Sequence, residues 1–256
     1  MEKKISSFLS GISRARARAL MLDYDGTLAP FRTDPERAAP YPEIPPLLRR
    51  LTHATDTRLV IVSGRPVAGV RRLLDIPGVE IWGCHGLERQ MADGTLNRSQ
   101  LPAESLRALA DITELLINDG LGPFAEQKFA SIAIHWRGKE ALAEDLTRRG
   151  ERAWPAVQDR KGIRMVPFDG GIEIALAAKT KGDAVRTILS EIGSDSAVAY
   201  LGDDTTDEDA FEALKGRGLN VLVRGEYRKT LADVWIRPPE EVAEFLSAWM
   251  AAAGAR

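Results

Sequence analysis

Two aspartates separated by one residue, Asp23 and Asp25, follow the apolar run Ala19-Leu20-Met21-Leu22 and precede Gly26-Thr27. A second acidic group, Asp203, Asp204 and Asp207, follows the apolar run Ala197 to Leu201 within Gly202-Asp203-Asp204-Thr205-Thr206-Asp207. Brought to one place, these carboxylates repel one another unless a hard divalent cation neutralises them, and magnesium is the natural candidate. A carboxylate beside such an ion can attack phosphorus and form an aspartyl-phosphate, which splits hydrolysis into two easier displacements. On that reading Asp23 is the nucleophile. Asp25, on the same side of an extended chain, protonates the leaving alcohol and later deprotonates the attacking water. Ser63, in Ser63-Gly64-Arg65-Pro66, offers a hydroxyl, and Lys181 a point positive charge, for positioning a phosphoryl group. Asp203 completes the metal shell. Asp204 and Asp207 hold metal-bound waters or orient Lys181, a division that the spacing leaves open.

Such residues need strand ends to carry them. Apolar runs closed by polar residues and glycine read as interior strands of a parallel sheet, whose ligands bind beyond the carboxyl ends. Ala19–Leu22, Leu59–Val62 and Val79–Trp82 alternate with helical stretches at Ile44 to Ala54 and Val67 to Leu74, which is βαβ punctuation. The pattern returns with a helix from Lys181 to Ile192, a strand over Ala197 to Leu201, a helix over Asp207 to Leu214, strands at Leu219–Val223 and Val234–Ile236, and a last helix opening near Pro238-Pro239. Between them lie helical stretches at Ala103 to Asn118 and Lys139 to Arg149, and period-2 segments at Ser131 to Arg137 and Ile172 to Ala175. Period 2 means one covered face and one open face. The chain is therefore expected to be α/β: a Rossmann-like, doubly wound parallel sheet core over residues 1–103 and 175–256, with an inserted α+β cap domain over 104–174.

At 256 residues, with 44% apolar content, the chain can bury a sizeable core. Its 35 basic and 37 acidic residues leave a formal charge of -2, which argues against nucleic acid as partner and suits a small-molecule substrate. Arg14-Ala15-Arg16-Ala17-Arg18 reads as a solvated face. The single Cys84 fits a reducing compartment. Met1 to Ile12 reads as an amphipathic helix without an export signal, and no apolar run approaches the roughly 20 residues of a membrane helix. The expectation is a cytoplasmic protein away from the membrane, a monomer by default.

Asp23-Tyr24-Asp25-Gly26-Thr27, Ser63, Lys181 and Gly202-Asp203-Asp204, in that order, resemble the four motifs of the haloacid-dehalogenase-type phosphatases over nearly the whole chain. The fuller strings Leu22 to Leu28, Ser63 to Pro66, Gly83-Cys84-His85-Gly86-Leu87-Glu88 and Gly202 to Phe211 are similar to those of the trehalose-6-phosphate phosphatase family. The resemblance implies a magnesium-dependent phosphatase that converts trehalose 6-phosphate to trehalose and phosphate, with a cap of type IIB between the second and third motifs. It also implies Glu126, Lys128 and Glu173 as cap residues that hold sugar hydroxyls, with Gly64, Arg65 and His85 completing the substrate-binding set. His135 and Arg137 are expected to be structural, and His53 to lie on a helix surface.

One departure stands out: the family's Glu-(Ile/Leu)-Arg-Pro is here Glu173-Ile174-Ala175-Leu176. It keeps other sugar esters in view, namely glucosyl- or mannosyl-3-phosphoglycerate and sucrose phosphate. A phosphomutase of the same superfamily and a sugar-phosphate sensor without turnover are the remaining alternatives.

Overall fold

The run at residues 19–22 is fully buried, as the middle strand of a sheet covered on both faces must be. The computed structural model describes residues 2–153, 163–176 and 179–254. In chain order the elements are α1 (Glu2–Ile12), β1 (Ala17–Leu22), α2 (Ile44–Ala54), β2 (Thr57–Val62), α3 (Val67–Leu73), β3 (Glu80–Gly83), β4 (Glu88–Gln90), β5 (Leu96–Arg98), α4 (Ala103–Asn118), β6 (Ala125–Gln127), β7 (Ser131–His135), α5 (Ala143–Ala153), β8 (Ile163–Phe168), β9 (Gly171–Leu176), α6 (Lys181–Ile192), β10 (Ser196–Gly202), α7 (Glu208–Leu214), β11 (Leu219–Val223), β12 (Val234–Ile236) and α8 (Glu240–Ala252).

The chain divides into two compact units, residues 1–97 with 180–256, and residues 98–179. The division falls at 97/98 and 179/180, beside the expected 103/104 and 174/175, and β9 runs without a break through Ala175 to Leu176.

The first unit is an eight-stranded sheet in the order β12-β11-β10-β1-β2-β3-β4-β5. The pairs from β12 to β3 are parallel, and β4 joins β3 antiparallel. Alternate side chains of β1 enter two separate cores. Leu20 and Leu22 pack with α1, α2, α3 and α8 residues such as Ile12, Leu48, Val70 and Trp249; Ala19 and Met21 pack with Val185 and Ile188 of α6 and Phe211 of α7. A strand clamped in this way has no free face on which to slip register. Leu22 lies beside Leu201 on one side and Ile61 on the other, so β1, β10 and β2 end at one level.

The second unit is a four-stranded antiparallel sheet, β6-β7-β9-β8, with one face on α4 and α5. Ile132, Ile134, Ile172 and Ile174 fill that covered face with Ile112, Leu116 and Leu146. The residues between them point to the opposite face, where Ala133 stands opposite Glu173.

Two details differ from expectation. Arg18 is not part of a solvated arginine face, since β1 begins at Ala17 and the Arg18 guanidinium turns back to the carbonyls of Ile12 (3.0 Å) and Ser13 (3.1 Å). The helix expected from Lys139 starts as a short 3-10 turn over Glu140–Leu142 before α5. Met1 of the expected first helix lies outside the described residues. Among the described residues no helix is long and apolar enough to cross a membrane.

Candidate active site

Asp23 is the first residue beyond β1, fixed by its own N–H on Leu201 O at 2.8 Å. Lys181 opens α6, whose N-terminus is closed by a capping box between Thr180 and Asp183. An ammonium at the positive end of a helix is misplaced with respect to the dipole, so this buried cation needs compensation from carboxylates. It receives two: Lys181 Nζ donates to Asp23 Oδ1 and to Asp207 Oδ1, each at 2.7 Å, and all three side chains are buried.

Asp207 is saturated. Its Oδ1 also accepts the Tyr200 hydroxyl at 2.6 Å, and its Oδ2 accepts the N–H groups of Asp203 (3.1 Å) and Asp204 (3.0 Å). Four donors use the four lone-pair sites of a carboxylate. Of the two tasks left open for Asp207, the geometry therefore carries the orienting one. The backbone must come close for this, and Gly202 permits it, since a Cβ there would meet Asp207 Cγ at 2.4 Å.

Asp203 contrasts with Asp207. It is buried, its Oδ2 accepts no hydrogen bond, and Arg224 Nη1 stands 3.9 Å from it. Gly26, at φ 79°, makes room for it, because a Cβ on Gly26 would stand 2.2 Å from Asp203 Oδ2.

Burial pushes the Asp23 carboxyl up to about 7, against the pull of Lys181, with Asp207 and Asp25 adding repulsion. Burial, and then Asp23, Asp207 and Asp204, push Asp203 well above the usual carboxylate range. For Lys181 burial works against the charge, but Asp207 and Asp23 outweigh it and the net shift is upward.

Asp23, Asp203 and Asp207 bring carboxylate oxygens within 4.8 Å of one another, all buried. When all three are ionised, three carboxylates and one ammonium leave two negative charges in a buried site, which is the charge that a divalent cation cancels. The open Oδ2 of Asp203 is the second sign that the donor set fits such an ion. Because Asp207 has no lone pair to spare, Asp23 and Asp203 are the side chains that would hold it.

Asp25 and Asp204 stand outside this close set. Asp25 is chelated by Arg65, Nε to Oδ2 at 2.6 Å and Nη2 to Oδ1 at 2.7 Å, while Arg65 Nη1 reaches Pro35 O at 2.8 Å. Asp204 caps the following turn through Thr205 N at 2.7 Å. The expected five-carboxylate metal set is thus three carboxylates in close approach, with two held by other partners.

Ser63 follows β2, buried, and its Oγ accepts Arg65 N at 3.1 Å. Against it lies the turn at Cys84 and His85, two non-glycine residues with φ of 49° and 55°. That left-handed pair costs energy and is held by His85 N on Ser63 O (3.0 Å) and Cys84 N on Arg65 O (2.9 Å). The His85 ring occupies the space that a Cβ on Gly64 would need, 2.7 Å from Cε1. Gly64, Arg65 and His85 therefore form one packed group with Ser63.

The other expected residues lie on the opposite face of the second sheet, which is not the open face that the period-2 pattern leads one to expect: Ser131, Ala133, Glu173 and Ala175 on it are all buried. Lys128 Nζ lies 3.2 Å from Glu173 Oε1, which also accepts Ser131 Oγ at 2.5 Å. Glu126 Oε2 pairs with His135 Nε2 at 2.8 Å, and that hydrogen bond holds the Glu126 carboxyl below the usual range. His53 lies exposed on α2. Ala175 and Leu176 are buried within β9.

Tyr200 and Arg228 lie outside the motifs that the sequence singles out. A tyrosine inside the buried apolar run Ala197–Leu201 is itself a signal, since its hydroxyl needs a partner there. Arg228, in a polar loop, carries no such signal.

A family model described as Trehalose-phosphatase matches residues 21–230. The chain is 31% identical over 239 residues to a trehalose-phosphate phosphatase of Mycobacterium marinum, covering 89% of this chain and 60% of that protein. It is 32% identical over 244 residues to one of Mycobacterium bovis, with 90% and 61% covered. The chain thus spans about 60% of the length of these relatives. Its fold is similar to that of the C-terminal domain of the Candida albicans trehalose-6-phosphate phosphatase, with a TM-score of 0.81 at 20% identity over 98% of this chain and 97% of that one. A haloacid dehalogenase-like hydrolase from Bacteroides thetaiotaomicron shares the fold with a TM-score of 0.67 at 18% identity, 91% and 99% covered. With the match extending from β1 past the buried Asp203–Asp207 cluster, the chain belongs to the trehalose-phosphatase family.

Proposed function

We propose that this protein is a magnesium-dependent phosphatase that hydrolyses trehalose 6-phosphate through an aspartyl-phosphate on Asp23. The observation that carries the reading is the buried set of Asp23, Asp203 and Asp207 around Lys181, with one carboxylate oxygen of Asp203 left open.

Asp23 and Asp203 would hold the Mg2+, which when bound supplies charge neutralisation to a phosphoryl group and to the carboxylates around it. Lys181 keeps Asp23 Oδ1 occupied, so the nucleophile is aimed before substrate arrives. Asp23 forms the new bond to phosphorus while the ester P–O bond breaks and Asp25 gives its proton to the departing sugar oxygen. Water then adds to the phosphorus, Asp25 takes its proton, and Asp23 leaves with its carboxylate restored. For proton transfer Asp25 must give up one of its two hydrogen bonds to Arg65. Ser63 donates to the phosphoryl oxygens. Glu126, Lys128 and Glu173 bind sugar hydroxyls, for which charged donors and acceptors are well suited.

The test is phosphate release by purified protein from trehalose 6-phosphate, sucrose 6-phosphate, glucosyl-3-phosphoglycerate and glucose 6-phosphate, with Mg2+ and with a chelator. Mg2+-dependent preference for the trehalose ester is expected. Preference for another ester overturns the substrate and keeps the chemistry; no release from any overturns the phosphatase reading.

A further inference from the structure

Asp203 and Asp204 lie beyond the last residue of β10, so no ladder hydrogen bond fixes them. Their N–H groups are held by Asp207 Oδ2. Their carbonyls both accept from one side chain, Asp204 O taking the Asp207 N–H at 3.0 Å as well. Arg228 Nε donates to Asp203 O at 3.2 Å and Arg228 Nη2 to Asp204 O at 2.7 Å. The third corner of the guanidinium, Nη1, donates to Glu208 and to Lys229 O (3.0 Å). Glu208 is anchored in turn, accepting Thr230 Oγ1 and Leu231 N at 2.8 Å each.

We propose that Arg228 is a positioning residue for divalent-metal binding, setting the backbone from which Asp203 reaches the ion. The inference rests on the reading of Asp203 as a metal-holding carboxylate. If Arg228 served only to pin its own loop, the Glu208 pair would suffice and the two consecutive carbonyls would be incidental. A planar fork that spans successive carbonyls fixes position and orientation together, which a lysine cannot do. The need for it follows from the site: Asp203 Oδ2 has no hydrogen bond of its own to hold it. Its placement therefore passes to its main chain, clamped between Asp207 on the amide side and Arg228 on the carbonyl side. Loss of a partner that orients a metal-holding residue costs roughly 10–100-fold in metal affinity.

The experiment uses the full chain with Arg228→Gln and Arg228→Lys. Three quantities are read: Mn2+ affinity from the electron paramagnetic resonance signal of free Mn2+, the Mg2+ concentration for half-maximal hydrolysis of p-nitrophenyl phosphate, and the unfolding temperature in chelator. Mn2+ binding should weaken about tenfold or more in both variants, and half-activation by Mg2+ should move by a similar factor, while KM at saturating Mg2+ stays unchanged. A lower unfolding temperature with unmoved Mn2+ affinity assigns Arg228 to loop stability alone and overturns the proposal. If the Gln variant does not fold, the Lys variant, which keeps the charge and one donor, decides by the same criterion. Wild-type protein that neither binds Mn2+ nor releases phosphate overturns the reading of Asp203 and this role with it, whereas wild-type binding with unshifted variants overturns this role alone.

Discussion

The Tyr200 hydroxyl and the Lys181 ammonium meet on one oxygen, Asp207 Oδ1, at 2.6 and 2.7 Å. The phenol, buried and kept protonated well beyond its usual range by burial and by Asp207, limits how far that carboxylate can follow the lysine. Tyr200→Phe removes the donor and nothing else. We expect kcat to fall about threefold to tenfold at unchanged KM, with a stability loss of about 1.5–3 kcal/mol for a hydrogen bond to a charged group. Steady-state kinetics and urea unfolding check both; an unaltered kcat would make Tyr200 purely structural.

Gly26→Ala introduces a methyl 2.2 Å from Asp203 Oδ2 at a backbone φ of 79°. The backbone term costs roughly 1–2 kcal/mol. The larger effect is on Asp203, which must move, so Mn2+ affinity and hydrolysis should both fall at least about tenfold. Near-normal metal binding would show that Asp203 is not where the ion is held.

Without metal, the folded protein holds a proton on Asp23 up to about pH 7, whereas an unfolded aspartate releases it near 3.8. The folded state thus binds more protons in that window, and stability should fall as pH rises from about 4 to 7. Mg2+, if held there as proposed, would favour the ionised carboxylates and should flatten or reverse the slope. Urea unfolding from pH 4.5 to 7.5, with chelator and with Mg2+, distinguishes the two; identical slopes would contradict the site.

Asp23→Asn should abolish hydrolysis and raise the unfolding temperature in chelator. The asparagine has no charge to bury, and Lys181 keeps Asp207 as its partner. Substantial turnover by this variant would remove Asp23 from the nucleophile role.

In the second sheet, Lys128→Ala and Glu173→Gln should raise KM for trehalose 6-phosphate about tenfold or more, as expected when a charge-assisted sugar contact is lost. Hydrolysis of p-nitrophenyl phosphate, which has no sugar, should stay within about twofold of wild type. Equal losses on both substrates would argue against a sugar-binding role.

The elements that could be read from the sequence are those buried in a regular way. Ala19–Leu22, Leu219–Val223 and Ala103–Asn118 show a run or a period because one or both faces meet a core. β5 gave no signal because Leu96, Asn97 and Arg98 are all exposed. β8 contains Pro167 and lies at a sheet edge, where a missing N–H is tolerated but the residue argues against a strand. At the site, the acidic motifs could be read because adjacent residues supply them. The Asp25–Arg65 chelate joins residues 40 apart, and the Arg228 clamp comes from a loop without period, so only the fold reveals them.

β1 pairs on one side with β2, which follows it closely, and on the other with β10, which arrives about 175 residues later. During synthesis, the central strand therefore waits with an open edge and with Ala19 and Met21 lacking their α6 and α7 partners while residues 98–179 are made. Chains interrupted before residue 196 would be the aggregation-prone species, and the nascent polypeptide depends on shielding of that edge until β10 closes it.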